Sequence, residues 1–298
     1  MIDGIRMKIA DIEKFENDIM LDGVLPMAGG KTDFFTGNVL EYPKGGNLNS
    51  LEYKITEQGA IISGSVHKFY NNVILGEDQN YDDFGYSKLV SATKLLNRFF
   101  HLEGGTTLTN LEFGFNIKID EDPNDFVKYR VLMYNFRDHE ERDRFDTGEY
   151  YKEFRRTDYK WKIYKKTNFK KPNENILRIE IKFLRSRQLD KLGIVSINDL
   201  TKKENLENLF DFFLDKFEDL MIVDSGIGNV GSIEQRNRLM QFTNIKYWND
   251  LIEQNVTDKV RDNRRASAIK LISNLKMDTT KNILRDKIVS KFSLLIAS

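Results

Sequence analysis

The chain has 298 residues, 40% hydrophobic and 31% charged, and its 46 basic and 46 acidic residues give a formal net charge of zero, so it has the length for one large or two modest domains and is not a uniformly basic nucleic-acid binder. No apolar run approaches a membrane span and the N-terminal MIDGIRMKIADIEKFE lacks the apolar core of a secretory signal, which makes a cytoplasmic protein with no membrane partner the expectation. The absence of cysteine excludes disulfides, thiolate metal sites and a cysteine nucleophile, leaving oxygen ligands and three histidines for any metal.

In chain order, β-type alternation predicts strands over Gly4–Ile9, Leu51–Thr56 and Ala60–Tyr70, with Gln58-Gly59 marking a tight turn between the last two. A loop around Gly76–Asp83 precedes a helical pattern over Ser87–Phe100, and Leu108–Ile119 returns to strand, which reads as a crossover unit. Val127–Phe136 is a further predicted strand, and the charged Arg137–Glu149 is an expected exposed loop or short helix. Tyr159–Lys166 and Ile176–Leu184, joined by a Lys-, Asn- and Pro-bearing connector, predict an antiparallel pair. Asn198-Asp199 is a candidate helix cap, and Leu206–Met221 has apolar residues at helical spacing. Helices are expected at about Ile233–Gln241, Lys246–Gln254, Thr257–Leu275 and Thr279–Leu295. The fold class is therefore α+β. A mixed, mainly antiparallel sheet domain with crossover helices occupies residues 1–192, and a helical C-terminal region, 193–298, binds DNA or packs on the sheet.

Alternation then sorts side chains onto faces. In the hairpin, Trp161 and Ile163 oppose Lys162, Tyr164 and Lys166, while Leu177, Ile179, Ile181 and Phe183 oppose Arg178, Glu180 and Lys182. Glu112 shares a face with Gly114 and Asn116, and a continuous strand over Ala60–Tyr70 would put His67 with Ser63 and Ser65. One sheet face thereby gathers Glu112, Glu180, His67 and Tyr164. Carboxylates with one imidazole suit Mg²⁺ or Mn²⁺. A phenol is a poor nucleophile at neutral pH unless a cation, metal or base activates it, and Lys162, Lys165 and Lys166 supply positive charge. Tyr150, Tyr151 and Tyr159 are rival nucleophiles. Charge is also segregated: residues 151–190 hold 13 basic against 5 acidic residues, and residues 255–298 hold 10 against 4. Arg261, Arg264 and Arg265 in the second run, with Lys165, Arg178 and Lys182 in the first, are candidate phosphate contacts. GIGNVG at 226–231 formally matches GxGxxG, but the flanking pattern is helical, so a hinge between helices is the expectation.

The patterns GSVHKFYN (64–71), LTNLEFGFNI (108–117), KIYKKTNF (162–169) with NILRIEIKF (175–183), and KLGIVSINDL (191–200) resemble the rolling-circle replication initiators of small plasmids and single-stranded DNA phages. The likeness spans about residues 60–200. It implies a metal-dependent nickase that cuts one origin strand through a tyrosine, keeps a 5′-phosphotyrosine, frees a 3′ hydroxyl and later rejoins the strand. Tyr164 matches the tyrosine of the Ile-Tyr-x-Lys pattern, Glu180 the acid of the Leu-Arg-x-Glu strand, and Glu112 the acid of Leu-Glu-Phe-Gly. Many such initiators carry two histidines flanking one apolar residue, and this chain has no such triplet. The implied partners are origin DNA, single-stranded or cruciform, and a host helicase or polymerase. A noncatalytic DNA-binding replication or regulatory protein is the alternative, and a solvated sheet face on an interaction protein is the third reading.

Overall fold

The computed structural model describes residues 1–23, 25, 28–29, 35–38, 41–102, 105–140, 144–145, 148–167, 174–226 and 230–298. Strand β1 (Ile2–Ile9) and helix α1 (Ile12–Asp22) lead into β2 (Ala28–Gly29), β3 (Lys44–Leu48), β4 (Leu51–Thr56) and β5 (Gly59–Ser65). Helices α2 (Val66–Leu75) and α3 (Tyr86–Phe100) connect to the long β6 (Thr106–Lys118). A short α4 (Pro123–Asp125) runs into a π-helical turn at Phe126–Arg130, followed by β7 (Val131–Tyr134), β8 (Tyr151–Arg155), β9 (Tyr159–Lys165) and β10 (Ile176–Phe183). The remainder comprises α5 (Ser186–Asp190), a 3₁₀ turn at Ile197–Thr201, α6 (Lys203–Glu218), β11 (Leu220–Ile222), α7 (Ile233–Phe242), α8 (Ile245–Glu253), α9 (Asp258–Asn274) and α10 (Thr279–Ala297).

Among the described residues the main sheet has nine strands in the order β2-β3-β4-β5-β1-β6-β10-β9-β8, and every neighbouring pair is antiparallel. Because β5 and β6 both run antiparallel to β1, they are parallel to each other, and α2 and α3 form the crossover between them with β1 inserted in the gap. Period-two alternation sends Met7, Ile62, Phe113, Phe115, Trp161, Ile163, Ile179 and Ile181 into one apolar core. The helices close over that face. In α6, Leu206, Leu209, Phe210, Phe213 and Phe217 recur at three- and four-residue spacing and are buried, with Phe213 edge-on to Phe115 at 5.2 Å and near Trp161 at 4.8 Å. Phe210 stacks on Phe292 of α10 at 3.9 Å, which ties the last helix to the same core. Truncating Phe213 to Ala removes a fully buried ring and costs about 3–5 kcal/mol. Helices α6 and α10 thus pack on the sheet.

A second cluster gathers Met133, Phe136, Met221, Val223, Leu239, Phe242, Trp248, Leu251, Ala268 and Ile272, joining the small β7–β11 sheet to α7, α8 and α9. No helix among the described residues is long and apolar enough to cross a membrane.

Three predicted elements differ. The expected strand over Ala60–Tyr70 stops at Ser65, whose hydroxyl accepts from the Lys68 N–H and caps α2; left-handed Gly76 closes that helix. The expected strand over Val127–Phe136 begins with a π turn, and only Val131–Tyr134 is extended. The helix expected to reach Met221 ends at Glu218, and Leu220–Ile222 pairs with β7 instead. Residues 227–229 of GIGNVG lie outside the described residues.

Candidate active site on the polar face of the sheet

Register builds the site row by row on β8, β9, β10 and β6. Tyr151, Tyr164, Arg178 and Asn116 stand side by side; the next row is Glu153, Lys162, Glu180 and Gly114; the third is Arg155, Lys160, Lys182 and Glu112. In the middle row Glu153, Lys162 and Glu180 alternate in charge across three strands, as opposite charges favour. Gly114 leaves a hole beside Glu180. A Cβ there would lie 2.5 Å from the Glu180 Cβ.

Asp3 joins Glu112 and Glu180 from β1. Ile2 pairs with Phe113 and Ile5 with Leu111, so β1 spends one residue more than β6 over that interval. This bulge turns Asp3 and Gly4 together toward the polar face while Ile2 and Ile5 both stay in the core. Gly4 is required by the same geometry, since a Cβ would lie 2.5 Å from the Glu112 Oε2. Asp3, Glu112 and Glu180, from three strands that are neighbours in the sheet, offer carboxylate oxygens all within 4.8 Å of one another.

Basic side chains surround the three acids. Lys182 Nζ donates to Glu112 Oε1 at 2.9 Å, and Lys162 Nζ lies 3.2 Å from the same oxygen and 3.7 Å from Glu180. Arg178 Nε donates to Glu180 Oε2 at 2.9 Å, its Nη1 to Asn116 Oδ1 at 3.3 Å, and its buried Nη2 has no hydrogen-bond partner, lying 3.9 Å from Asp3. Asp3 accepts from Ser65 Oγ and from Asn80 Nδ2 at 2.8 Å, and Asn80 Oδ1 accepts from Lys166 Nζ at 2.7 Å. The loop carrying Asn80 therefore roofs the site. Burial opposes ionisation of Glu112, but the charges of Lys162 and Lys182 outweigh it and hold its carboxyl below the ordinary glutamate value. Asp3 is likewise held low, with burial overcome by Arg178 and the Ser65 hydroxyl. For Lys166 burial dominates and Arg178 adds to it, so its ammonium is weakened.

Tyr164 donates a long hydrogen bond to Glu180 Oε1 at 3.4 Å. Burial, then the Glu180 charge, push its phenol well above the ordinary tyrosine value. A groove of about 500 Å³, lined by Asp3, Arg6, Ser63, Asn80, Glu112 and Lys182 among others, opens Asp3 and Glu112, but not Glu180, to the outside. A larger cleft of about 880 Å³ lies between the Asp82-Asp83 loop and α10 and contains none of the three acids.

The structure brings Glu112, Glu180, Tyr164, Lys162, Lys166 and Lys182 together on one face. His67 is elsewhere. It belongs to the first turn of α2, bonded through Nε2 to Asp82 at 2.7 Å and stacked on Phe84 at 4.6 Å, and burial lowers its pKa despite Asp82. It is not among the clustered acids, because the helix starting after Ser65 breaks the alternation that aimed it there. Lys165 pairs with Leu177 across the hairpin and so leaves the Tyr164 face, reaching Asp122 at 3.4 Å. Arg178 is a buried partner of Glu180 rather than a surface phosphate contact. On α9, Arg261 and Arg265 pair with Asp258 and Asp262, and Arg264 donates to the Tyr247 hydroxyl at 3.1 Å. Of the rival tyrosines, Tyr159 shares a 2.7 Å hydrogen bond with Tyr134, whereas Tyr151 stands beside Tyr164. Asp3 was outside the sequence-based set; its signal is Ile2-Asp3-Gly4-Ile5, where two residues instead of one separate core-facing isoleucines.

The donor set fits a hard divalent ion such as Mg²⁺ or Mn²⁺: three carboxylates converge, with no thiolate and no imidazole among them. No family model matches the sequence, and no curated protein matches it. Among solved structures, the chain is similar to a rolling circle replication initiator protein from Geobacillus stearothermophilus, with 16% identical residues, 63% of this chain and 75% of that chain covered, and a TM-score of 0.33.

Proposed function

We propose that this face performs metal-assisted DNA strand nicking and rejoining of the replication-initiator type, with Tyr164 as nucleophile. The observation that supports this reading most is the meeting of a tyrosine hydroxyl with a three-carboxylate cluster ringed by lysines. Asp3, Glu112 and Glu180 would hold Mg²⁺ or Mn²⁺, which supplies Lewis-acid polarisation of a phosphodiester. Tyr164 is the attacking group and Glu180 is the acceptor nearest its proton. As the tyrosine oxygen–phosphorus bond forms, the bond from phosphorus to the 3′ oxygen breaks. That oxygen takes a proton, for which Lys166 with its weakened ammonium is a suitable donor, and leaves as a free 3′ hydroxyl. Attack of a 3′ hydroxyl on the phosphotyrosine reverses these bonds and rejoins the strand. The sheet-based portion, 1–192, carries this chemistry, and the helical portion, 193–298, adds DNA contacts through α9.

One observation favours the noncatalytic DNA-binding reading: Lys162, Lys182 and Arg178 already compensate Glu112 and Glu180, so the face is charge-balanced without an ion. Incubation with single-stranded origin-type DNA and Mg²⁺ or Mn²⁺, followed by a denaturing gel and peptide mapping, separates the two. A covalent adduct on Tyr164, abolished in Tyr164→Phe with folding and DNA affinity retained, is the expected result. An adduct on Tyr150, Tyr151 or Tyr159 would reassign the nucleophile. No adduct with either metal would leave the binding reading.

A further inference from the structure

The aromatic group beside Tyr164 takes no part in that chemistry. Phe145 stacks on Tyr151 with ring centroids 4.5 Å apart and planes 28° apart, and meets Tyr164 edge-on at 5.6 Å. It is nevertheless 39% exposed. Its backbone is held by two hydrogen bonds: the Phe145 N–H donates to the Glu149 carbonyl at 3.0 Å, and the N–H of Gly148, at a φ of +94° that disfavours side chains, donates to the Phe145 carbonyl at 2.9 Å. The exposed part of this ring, packed between Tyr151 and Tyr164, offers apolar aromatic surface to a planar partner.

The surroundings are cationic and aromatic. The Arg144 guanidinium lies 4.4 Å over the Tyr150 ring, and Lys128 Nζ lies 5.1 Å from Tyr150 and 4.5 Å from Tyr129, which is 61% exposed on the π turn. Buried Lys152 fixes that turn by donating to the Val131 and Lys128 carbonyls at 2.6 and 3.3 Å. Alternating rings and cations along the end of an edge strand match the alternating bases and phosphates of an unpaired strand, whereas paired bases have no free faces to offer.

We propose that Phe145 is a positioning residue that stacks on an unpaired base flanking the phosphate presented to Tyr164, and that exposed Tyr129 continues this single-strand track with Lys128 on its phosphates. The proposal rests on the nucleic-acid reading of the site. It adds the residue that grips the unpaired base.

The test measures the affinity of the full chain for a fluorescent single-stranded oligonucleotide and for its duplex by anisotropy, with a 2-aminopurine at successive positions to report stacking. Phe145→Ala should weaken single-strand binding about 5- to 100-fold and leave duplex binding unchanged, since loss of one base–aromatic stack is of that size. Phe145→Trp should restore both affinity and 2-aminopurine quenching, and this rescue excludes a folding defect. Unchanged single-strand affinity in Phe145→Ala, equal losses for both DNA forms, or failure of the wild type to bind single strands would each overturn the proposal. Adduct formation at saturating DNA is scored separately: an adduct with a Phe145-independent affinity removes the track and keeps the nickase, and the reverse outcome removes the nickase and keeps the track.

Discussion

Glu180→Gln tests the centre of the site. Glu180 is 2% exposed and its carboxylate faces Arg178, itself buried, so the amide keeps the shape but leaves the guanidinium without its counter-charge. Breaking a buried pair by removing one partner costs about 3–5 kcal/mol. With an unfolding entropy of about 2.1 cal/mol/K per residue, this chain loses roughly 0.6 kcal/mol per degree near its midpoint, so Tm should fall by about 5–8 °C. The double variant Arg178→Gln/Glu180→Gln should lose less than the two singles together. Metal supplies the second measurement. At about 100 times its dissociation constant, Mg²⁺ bound to the native state alone adds about 2.7 kcal/mol, or roughly 4 °C. Thermal melts with and without Mg²⁺ or Mn²⁺ should show that rise in the wild type and its loss in Glu180→Gln. An equal rise in both proteins would refute the carboxylate site, and an unchanged Tm in metal-free Glu180→Gln would refute the buried pair.

Gly4→Ala should retain the fold yet lose most of the metal-induced rise in Tm, because the added methyl occupies the space of the Glu112 Oε2; an undiminished rise would show that Glu112 is not a ligand. Stability should depend on pH in a defined direction: the folded pKa of Glu112 lies below its unfolded value of 4.5 and that of Asp3 below 3.8, so their contributions are complete above those values and are lost as pH falls through the lower folded ones. Denaturant unfolding of the wild type minus Glu112→Gln should therefore give a stability difference that is flat near neutrality and shrinks in acid; a difference that grows in acid would reverse the assignment. Replacing Arg261, Arg264 and Arg265 by Gln should lower the salt slope of DNA binding by about 1 rather than 3, since two of the three already face Asp258 and Asp262, and an unchanged slope would remove α9 from the interface.

The hairpin was the legible part of the site. Strict alternation in Tyr159–Lys165 and Ile176–Phe183 fixes which side chains share a face, and the observed register keeps Tyr164, Lys162 and Glu180 where period two puts them. The long alternating run of β6 placed Glu112 on that face in the same way. What alternation could not convey are its interruptions. At Ser65 a side-chain cap converts an apparent strand into α2 and removes His67, and at Asp3-Gly4 a bulge adds a third acid without changing which isoleucines are buried. Edge strand β8 was also unread, because the charged stretch before it gives no period. The pairing of Leu220–Ile222 with Val131–Tyr134 is non-local and leaves no local signature after an amphipathic helix.

The central placement of β1 bears on when the site comes into being. β1 precedes both of its partners, β5 and β6, in the chain, and Glu180 follows later still, on β10. Asp3 can meet Ser65 and Asn80 early, but it meets the other two acids only once β6 and β10 have followed. A nascent or interrupted chain therefore carries the tyrosine and the acids as separate, solvated groups, and reactive geometry appears only on completion of the β1–β6–β10 core. For a protein whose proposed chemistry breaks DNA, the topology itself withholds that chemistry from incomplete chains.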